Sequence, residues 1–190
     1  MNISVLKGPC LAKELARKNH TSVIIANKNI KIAKQIGKMI STKYYVIEFS
    51  NDIIGVEVCS AIKNIYAMII GAGQSLNTSS SLFQKSIIEM KFLTKYFKGK
   101  EATTLGLAGV GDLYVSAAGG RNSQMGKYLG QGYLYKEAKE KFMKSTTVEG
   151  AQLAFDIGPK LMAKFDKRKF PLLFSILECI CKNKKLKIDW

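Results

Sequence analysis

Between Ile53 and Gly73 the chain reads IIGVEVCSAIKNIYAMIIGAG, apolar in nearly every helical direction. A helix that is hydrophobic all round has to be wrapped by other elements. The stretch from Ile54 to Gly71 therefore predicts a buried central helix, and with it a domain in which further helices cover that helix. Glu57 and Lys63 interrupt the run, so no uninterrupted apolar stretch reaches the ~20 residues of a bilayer crossing. No membrane span is expected on that ground.

The sequence on either side has two characters. Upstream, strand-like and helix-like segments alternate. Ile3 to Leu6 is short and apolar, Leu11 to Lys18 helical, Thr21 to Ala26 (TSVIIA) β-branched and continuous, Asn29 to Ile40 periodic at helical spacing, and Tyr44 to Phe49 strand-like again. This order predicts a small three-stranded sheet with crossover helices. Downstream no strand is expected. Asn77 to Ser81 (NTSSS) reads as a polar break before a helix from Ser81 to Phe97. Glycines crowd Gly106 to Gly132, and Lys136 to Lys144 is helical. Thr146 to Glu149 fits a capping box, Gly158-Pro159 predicts a break or kink, and Pro171 opens a last helix. The expected organisation is an α/β segment over 1–52 and a helical domain over 53–190.

Composition narrows the function. The chain has 190 residues and one histidine, His20, so a multi-histidine metal site is excluded. Cys10, Cys59, Cys179 and Cys181 form no Cys-x-x-Cys pair and are read as reduced core thiols. With no secretory pattern at the start, a cytoplasmic setting is expected. The formal net charge is +16, which points toward polyanions. Yet 27 lysines stand beside 3 arginines and 20 isoleucines, as AT-rich coding would give, and the lysines are dispersed except in Lys182 to Lys187. Nucleic acid is not the expected partner.

Three places could carry chemistry. Lys63 shares a helical face with Val56, Cys59, Ser60, Ala67 and Ile70. A lysine in such surroundings either extends its ammonium to water, finds a carboxylate, or becomes an acid or base near neutral pH. Asn64 follows it, free to bond a ligand or its own helix. Gly106-Leu107-Ala108-Gly109-Val110-Gly111-Asp112 is glycine-rich but lacks the preceding strand of a dinucleotide fingerprint. Asp112 is open to a role as cap, lysine partner or ligand. Gly119-Gly120-Arg121-Asn122-Ser123 leads two glycines and an arginine into a helix start, where N–H groups and a guanidinium suit a phosphate. A glycine turn with a solvated arginine is the plainer alternative. Gly8-Pro9-Cys10-Leu11-Ala12 is a strand-to-helix turn of the kind that faces ligands.

In order and interval, GPCLAKELAR, VEVCSAIKNIYAMIIGAG, GLAGVGDLYVSAAGGRN and TTVEG resemble the segments of the NAD(P)-dependent glycerol-3-phosphate dehydrogenases of the bacterial type. The resemblance runs from Gly8 to about Pro171. It implies interconversion of dihydroxyacetone phosphate and sn-glycerol 3-phosphate with NAD or NADP, the product feeding phospholipid synthesis. By the same resemblance Lys63 is the catalytic lysine. Gly8, Cys10, Asn64, Asp112, Gly120, Arg121 and Asn122 bind substrate with it, and Ala12, Arg121 and Glu149 approach the cofactor. No metal is implied. Cys10 stands where the family usually has a hydroxyl or amide, and a thiol is a weaker donor. Ser116 stands where threonine is common.

The family's glycine-rich nucleotide loop and a second substrate lysine precede the Gly-Pro turn, which here begins at residue 8. The resemblance therefore implies a mainly α chain: a complete helical substrate domain preceded by a truncated Rossmann remnant of about three strands. Such a chain is expected to be inactive alone, with a homodimer or a partner supplying the missing N-terminal half. Two other readings stay open. One is a non-catalytic remnant that binds phosphate esters or dimerises. The other is a basic module for nucleic acid or anionic lipid.

Overall fold

The computed structural model describes residues 3–188. Its chain order is β1 (Val5–Lys7), α1 (Ala12–Ala16), β2 (Thr21–Ala26), α2 (Ile30–Ile40), β3 (Tyr45–Ser50), α3 (Ile53–Gly71), α4 (Leu76–Tyr96), α5 (Glu101–Thr104), a π-helical turn (Leu107–Gly111), α6 (Asp112–Gly119), α7 (Arg121–Gly130), α8 (Tyr135–Phe142), α9 (Glu149–Lys164) and α10 (Pro171–Cys181). The mainly helical class with a small three-stranded sheet is as the sequence implied.

Two compact units divide the chain. The first comprises 1–60 with 90–114, the second 61–89 with 115–190. The division falls inside α3, α4 and α6 rather than at a linker.

In the first unit the strand order is β1-β2-β3. β2 and β3 are parallel, with Val23 opposite Ile47, and α2 is their crossover. β1 is antiparallel to β2, with Val5 opposite Ala26, which corrects the expectation of crossover connections throughout. The reason lies between the strands: α1 is only five residues long and ends near Lys18, whose φ of 60° reverses the chain. Val23, Ile25, Ala33 and Ile47 form the core, with Ile30, Ile36 and Tyr45 packed against it. Asp52 closes this unit. Its Oδ1 accepts the Gly55 N–H at 2.9 Å at the start of α3. Its Oδ2 accepts the Lys100 N–H at 2.8 Å and the Thr103 hydroxyl at 2.5 Å. The π turn then carries an i→i+5 bond, Gly111 N–H to Gly106 O at 3.2 Å. Gly109 is required there, since a Cβ would lie 2.0 Å from the Thr104 carbonyl oxygen. Such turns are frequent at functional sites, and here Asp112 follows, buried.

In the second unit the C-terminal half of α3 is the centre. Ile65, Tyr66, Met68 and Ile69 are fully buried. α3 does have the length and apolarity to cross a membrane, contrary to the sequence reading, but most of its apolar window is buried inside the protein. α7 lies against α3 at backbone distance. A Cβ on Gly126 would sit 1.8 Å from the Met68 carbonyl oxygen, and one on Gly130 2.4 Å from that of Ala72. The four cysteines are free thiols, but only Cys59 and Cys179 are core residues. Cys10 is exposed and Cys181 half-buried, so the reading of four core thiols is corrected. Burial pushes the Cys179 thiol up to about 12.

Candidate functional site

Lys63 leaves α3 from a half-buried position. Its Nζ donates to Ser116 Oγ at 3.1 Å, in the middle of α6. Ser116 follows Asp112 by one helical turn, so the sequence spacing that begins at the π turn also sets this hydroxyl. The ammonium is thus anchored to a hydroxyl on α6.

Asn64, next along α3, meets Asn122 in the first turn of α7. Asn122 Nδ2 donates to Asn64 Oδ1 at 3.1 Å, and Asn122 Oδ1 accepts the Gly150 N–H at 2.8 Å. Asn122 is only 5% exposed, and these two bonds commit its amide on both ends. What it leaves for a ligand is chiefly its backbone N–H.

That backbone belongs to a helix start without a side-chain cap. Gly120 is the N-cap of α7, and its own backbone is extended (φ −70°, ψ 167°). A Cβ there would lie 2.8 Å from the Ser116 carbonyl oxygen, which favours glycine. The first bond of the ladder is Gln124 N–H to Gly120 O at 2.9 Å, so the N–H groups of Arg121, Asn122 and Ser123 precede it. Arg121 stands over this end and pairs through Nη2 with Glu149 Oε1, both side chains about half exposed. The positive end of a ten-residue helix and a guanidinium form a donor-rich corner suited to a phosphate ester, and Lys63 adjoins it through Asn64, its chain neighbour and the partner of Asn122.

Glu149 opens α9 and is tied to Arg121, so it does not return to Thr146. The Thr146 N–H bonds the Met143 carbonyl instead, and Val148 is the N-cap, which overturns the capping box. Gly150 sits against α3: a Cβ would be 2.4 Å from the Asn64 carbonyl oxygen.

Lys63, Asn64, Gly120, Arg121, Asn122 and Glu149 are therefore joined within the second unit by direct contacts or chain adjacency. Gly8, Cys10, Ala12 and Asp112 lie in the first unit. Gly8 has φ +129°, a conformation that favours glycine. Cys10 is exposed at the following turn. Ser116, noted in the sequence only for standing where threonine is common, and Gly150 are the members to which sequence reading gave no role in the site.

The family model for the C-terminus of NAD-dependent glycerol-3-phosphate dehydrogenase matches residues 52–188. The chain belongs to this family. It is 31% identical over 172 residues to an NADP(+)-dependent glycerol-3-phosphate dehydrogenase of Archaeoglobus fulgidus, covering 83% of this chain and 51% of that protein. It is 33% identical over 190 residues to a glycosomal NAD(+) glycerol-3-phosphate dehydrogenase of Leishmania mexicana, covering 96% of this chain and 51% of that one. The crystal structure of glycerol-3-phosphate dehydrogenase from Coxiella burnetii superposes with a TM-score of 0.85 at 28% identity, over 97% of this chain and 57% of that chain. The chain spans about half the length of the curated relatives it matches.

A dinucleotide is the family's cofactor, and the turn after β2 is not of the glycine-rich kind that cradles a pyrophosphate. The turn from β2 into α2 is closed by side chains. Asn29 Oδ1 accepts the Lys31 N–H at 3.0 Å, and Asn27 Oδ1 accepts the Asn29 N–H at 2.7 Å. No glycine opens that turn.

Proposed function

We propose that this chain supplies the substrate half of a glycerol-3-phosphate dehydrogenase, binding dihydroxyacetone phosphate or sn-glycerol 3-phosphate in the second unit. The observation that carries the reading is the linked set Lys63–Ser116, Asn64–Asn122–Gly150 and Arg121–Glu149. The phosphate is received by Arg121 and the open N–H groups of α7, where charge and dipole act together. The oxygen on the middle carbon lies toward Lys63, whose Nζ gives that oxygen a proton in reduction and takes it back in oxidation. Ser116 holds the ammonium, and Asn64 donates to a substrate oxygen. The pair Arg121–Glu149 keeps the guanidinium in place until the phosphate arrives.

The roles of Gly8, Cys10, Ala12 and Asp112 rest on the motif resemblance alone. Residues 1–52 are assigned as the end of a nucleotide-binding domain and 53–190 as the substrate domain. The dinucleotide is assigned to a glycine-rich loop of the kind the turn after β2 lacks, and a homodimer or other partner is one source of it. A cytoplasmic setting and supply of glycerol phosphate to phospholipid synthesis accompany this reading.

Titration calorimetry tests it. sn-Glycerol 3-phosphate should bind the purified 190-residue chain, and Lys63→Ala should weaken dihydroxyacetone phosphate more than inorganic phosphate. Absence of any saturable binding of sn-glycerol 3-phosphate or dihydroxyacetone phosphate at millimolar concentration refutes the assignment.

A further inference from the structure

We propose that the backbone N–H of Gly150 is the orienting element of this site: it fixes the amide of Asn122, and Asn122 fixes that of Asn64, so that Asn64 presents its NH2 group to the substrate. The ligand half of this inference rests on the function proposed above. A backbone N–H can only donate. Held at 2.8 Å from Asn122, it requires the oxygen of that amide to face Gly150. The nitrogen end of Asn122 must then face Asn64, where it meets an oxygen at 3.1 Å. The usual ambiguity of amide direction is removed by a donor that cannot be turned round. Asn64 is left with two N–H donors, and its Nδ2 has no hydrogen-bond partner among the described residues.

The consequence is a polarity rule. Asn64, Lys63 and Arg121 all present donors, so these three side chains receive the oxygen acceptors of a ligand. Gly150 can hold this place because it has no side chain. A Cβ would lie 2.4 Å from the Asn64 carbonyl oxygen and 3.0 Å from Asn122 Oδ1, forcing α9 away and breaking the orienting bond. Gly150 and Asn122 are positioning residues, acting through Asn64.

Side-chain amide NMR on the ligand-free chain reads the orientation directly. The Asn122 NH2 should be protected from solvent exchange and the Asn64 NH2 unprotected. Asn122→Asp still accepts from Gly150 but can no longer donate, so Asn64 must turn and its NH2 become protected, with sn-glycerol 3-phosphate binding at least tenfold weaker. Asn64→Asp adds the same charge and loses the donor. It should weaken binding similarly while Asn122 stays protected. A merely structural role predicts affinity falling with melting temperature and no exchange of protection. An Asn64 NH2 protected in the wild type, or unchanged in Asn122→Asp, overturns the proposal. If the wild type fails to bind sn-glycerol 3-phosphate while the protection pattern holds, the substrate assignment falls and the orienting role stands.

Discussion

Arg121 separates stability from function at the scale of one residue. Its ion pair with Glu149 is about half exposed on both sides, and exposed pairs contribute roughly 0–1 kcal/mol to stability. Arg121→Ala should therefore leave thermal unfolding nearly unchanged. A charge-assisted hydrogen bond to phosphate is worth about 1.5–3 kcal/mol, so sn-glycerol 3-phosphate affinity should fall by about one to two orders of magnitude. Calorimetry and thermal unfolding on one preparation check both, and a large loss of stability with unchanged affinity contradicts the assignment. Residues of this kind were legible because their own sequence surroundings are unusual: an arginine after two glycines, a lysine in an apolar helix. Ser116 and Gly150 were not, since each acts only on a partner far along the chain: Lys63 lies 53 residues from Ser116, and Asn122 lies 28 from Gly150.

Where elements begin and end, local signals lost to longer-range ones. The NTSSS segment is helix, not a break, because Ser75 already caps α4: its Oγ accepts the Thr78 N–H at 3.3 Å. Ser81 then turns its hydroxyl back to the Asn77 carbonyl at 3.1 Å, so a polar run stays helical. α9 runs through Pro159 to Lys164 without a break, forgoing the bond to the Phe155 carbonyl. Glu89, on α4, is a tertiary cap that no local pattern announces. It is 4% exposed, its Oε1 accepts the Leu172 N–H at 2.8 Å, and its Oε2 accepts the Leu173 N–H and the Tyr66 hydroxyl, each at 2.9 Å. Burial pushes its carboxyl up despite these donors. A group whose folded value is raised stabilises the fold most below the unfolded range and loses that contribution as pH rises through the folded value. Glu89→Gln removes the titration but sets an NH2 against either the Leu172 or the Leu173 N–H, costing about 1–3 kcal/mol. The variant should be less stable at pH 5, and the gap should narrow toward pH 8. Thermal unfolding across that range decides, and a gap that widens with pH would mean the carboxylate is held ionised.

The whole molecule raises the question of what 190 residues can do together. Family and helical architecture were legible because motifs in order survive moderate sequence change, while β1's direction was not, since an antiparallel edge and a parallel one have the same apolar pattern. The net charge of +16 is carried by exposed lysines in both units, on α2 (Lys31, Lys34, Lys38) and on the last residues (Lys182, Lys184, Lys185, Lys187) alike. Such charge draws any polyanion weakly, and that attraction collapses with salt. Dinucleotide binding is where charge and built geometry give opposite answers. A site made only of lysines would attract NADH at low ionic strength and release it at physiological salt. A built site would hold it at both. With the turn after β2 closed by Asn27 and Asn29, the first behaviour is expected of this chain. NADH fluorescence titrations at about 10 mM and about 150 mM salt, where the screening length falls from about 30 to about 8 Å, distinguish the two. Saturable binding that persists at the higher salt, together with oxidation of NADH by dihydroxyacetone phosphate that Lys63→Ala abolishes, would make this chain a working dehydrogenase without a partner and would overturn the assignment of the nucleotide to a glycine-rich loop.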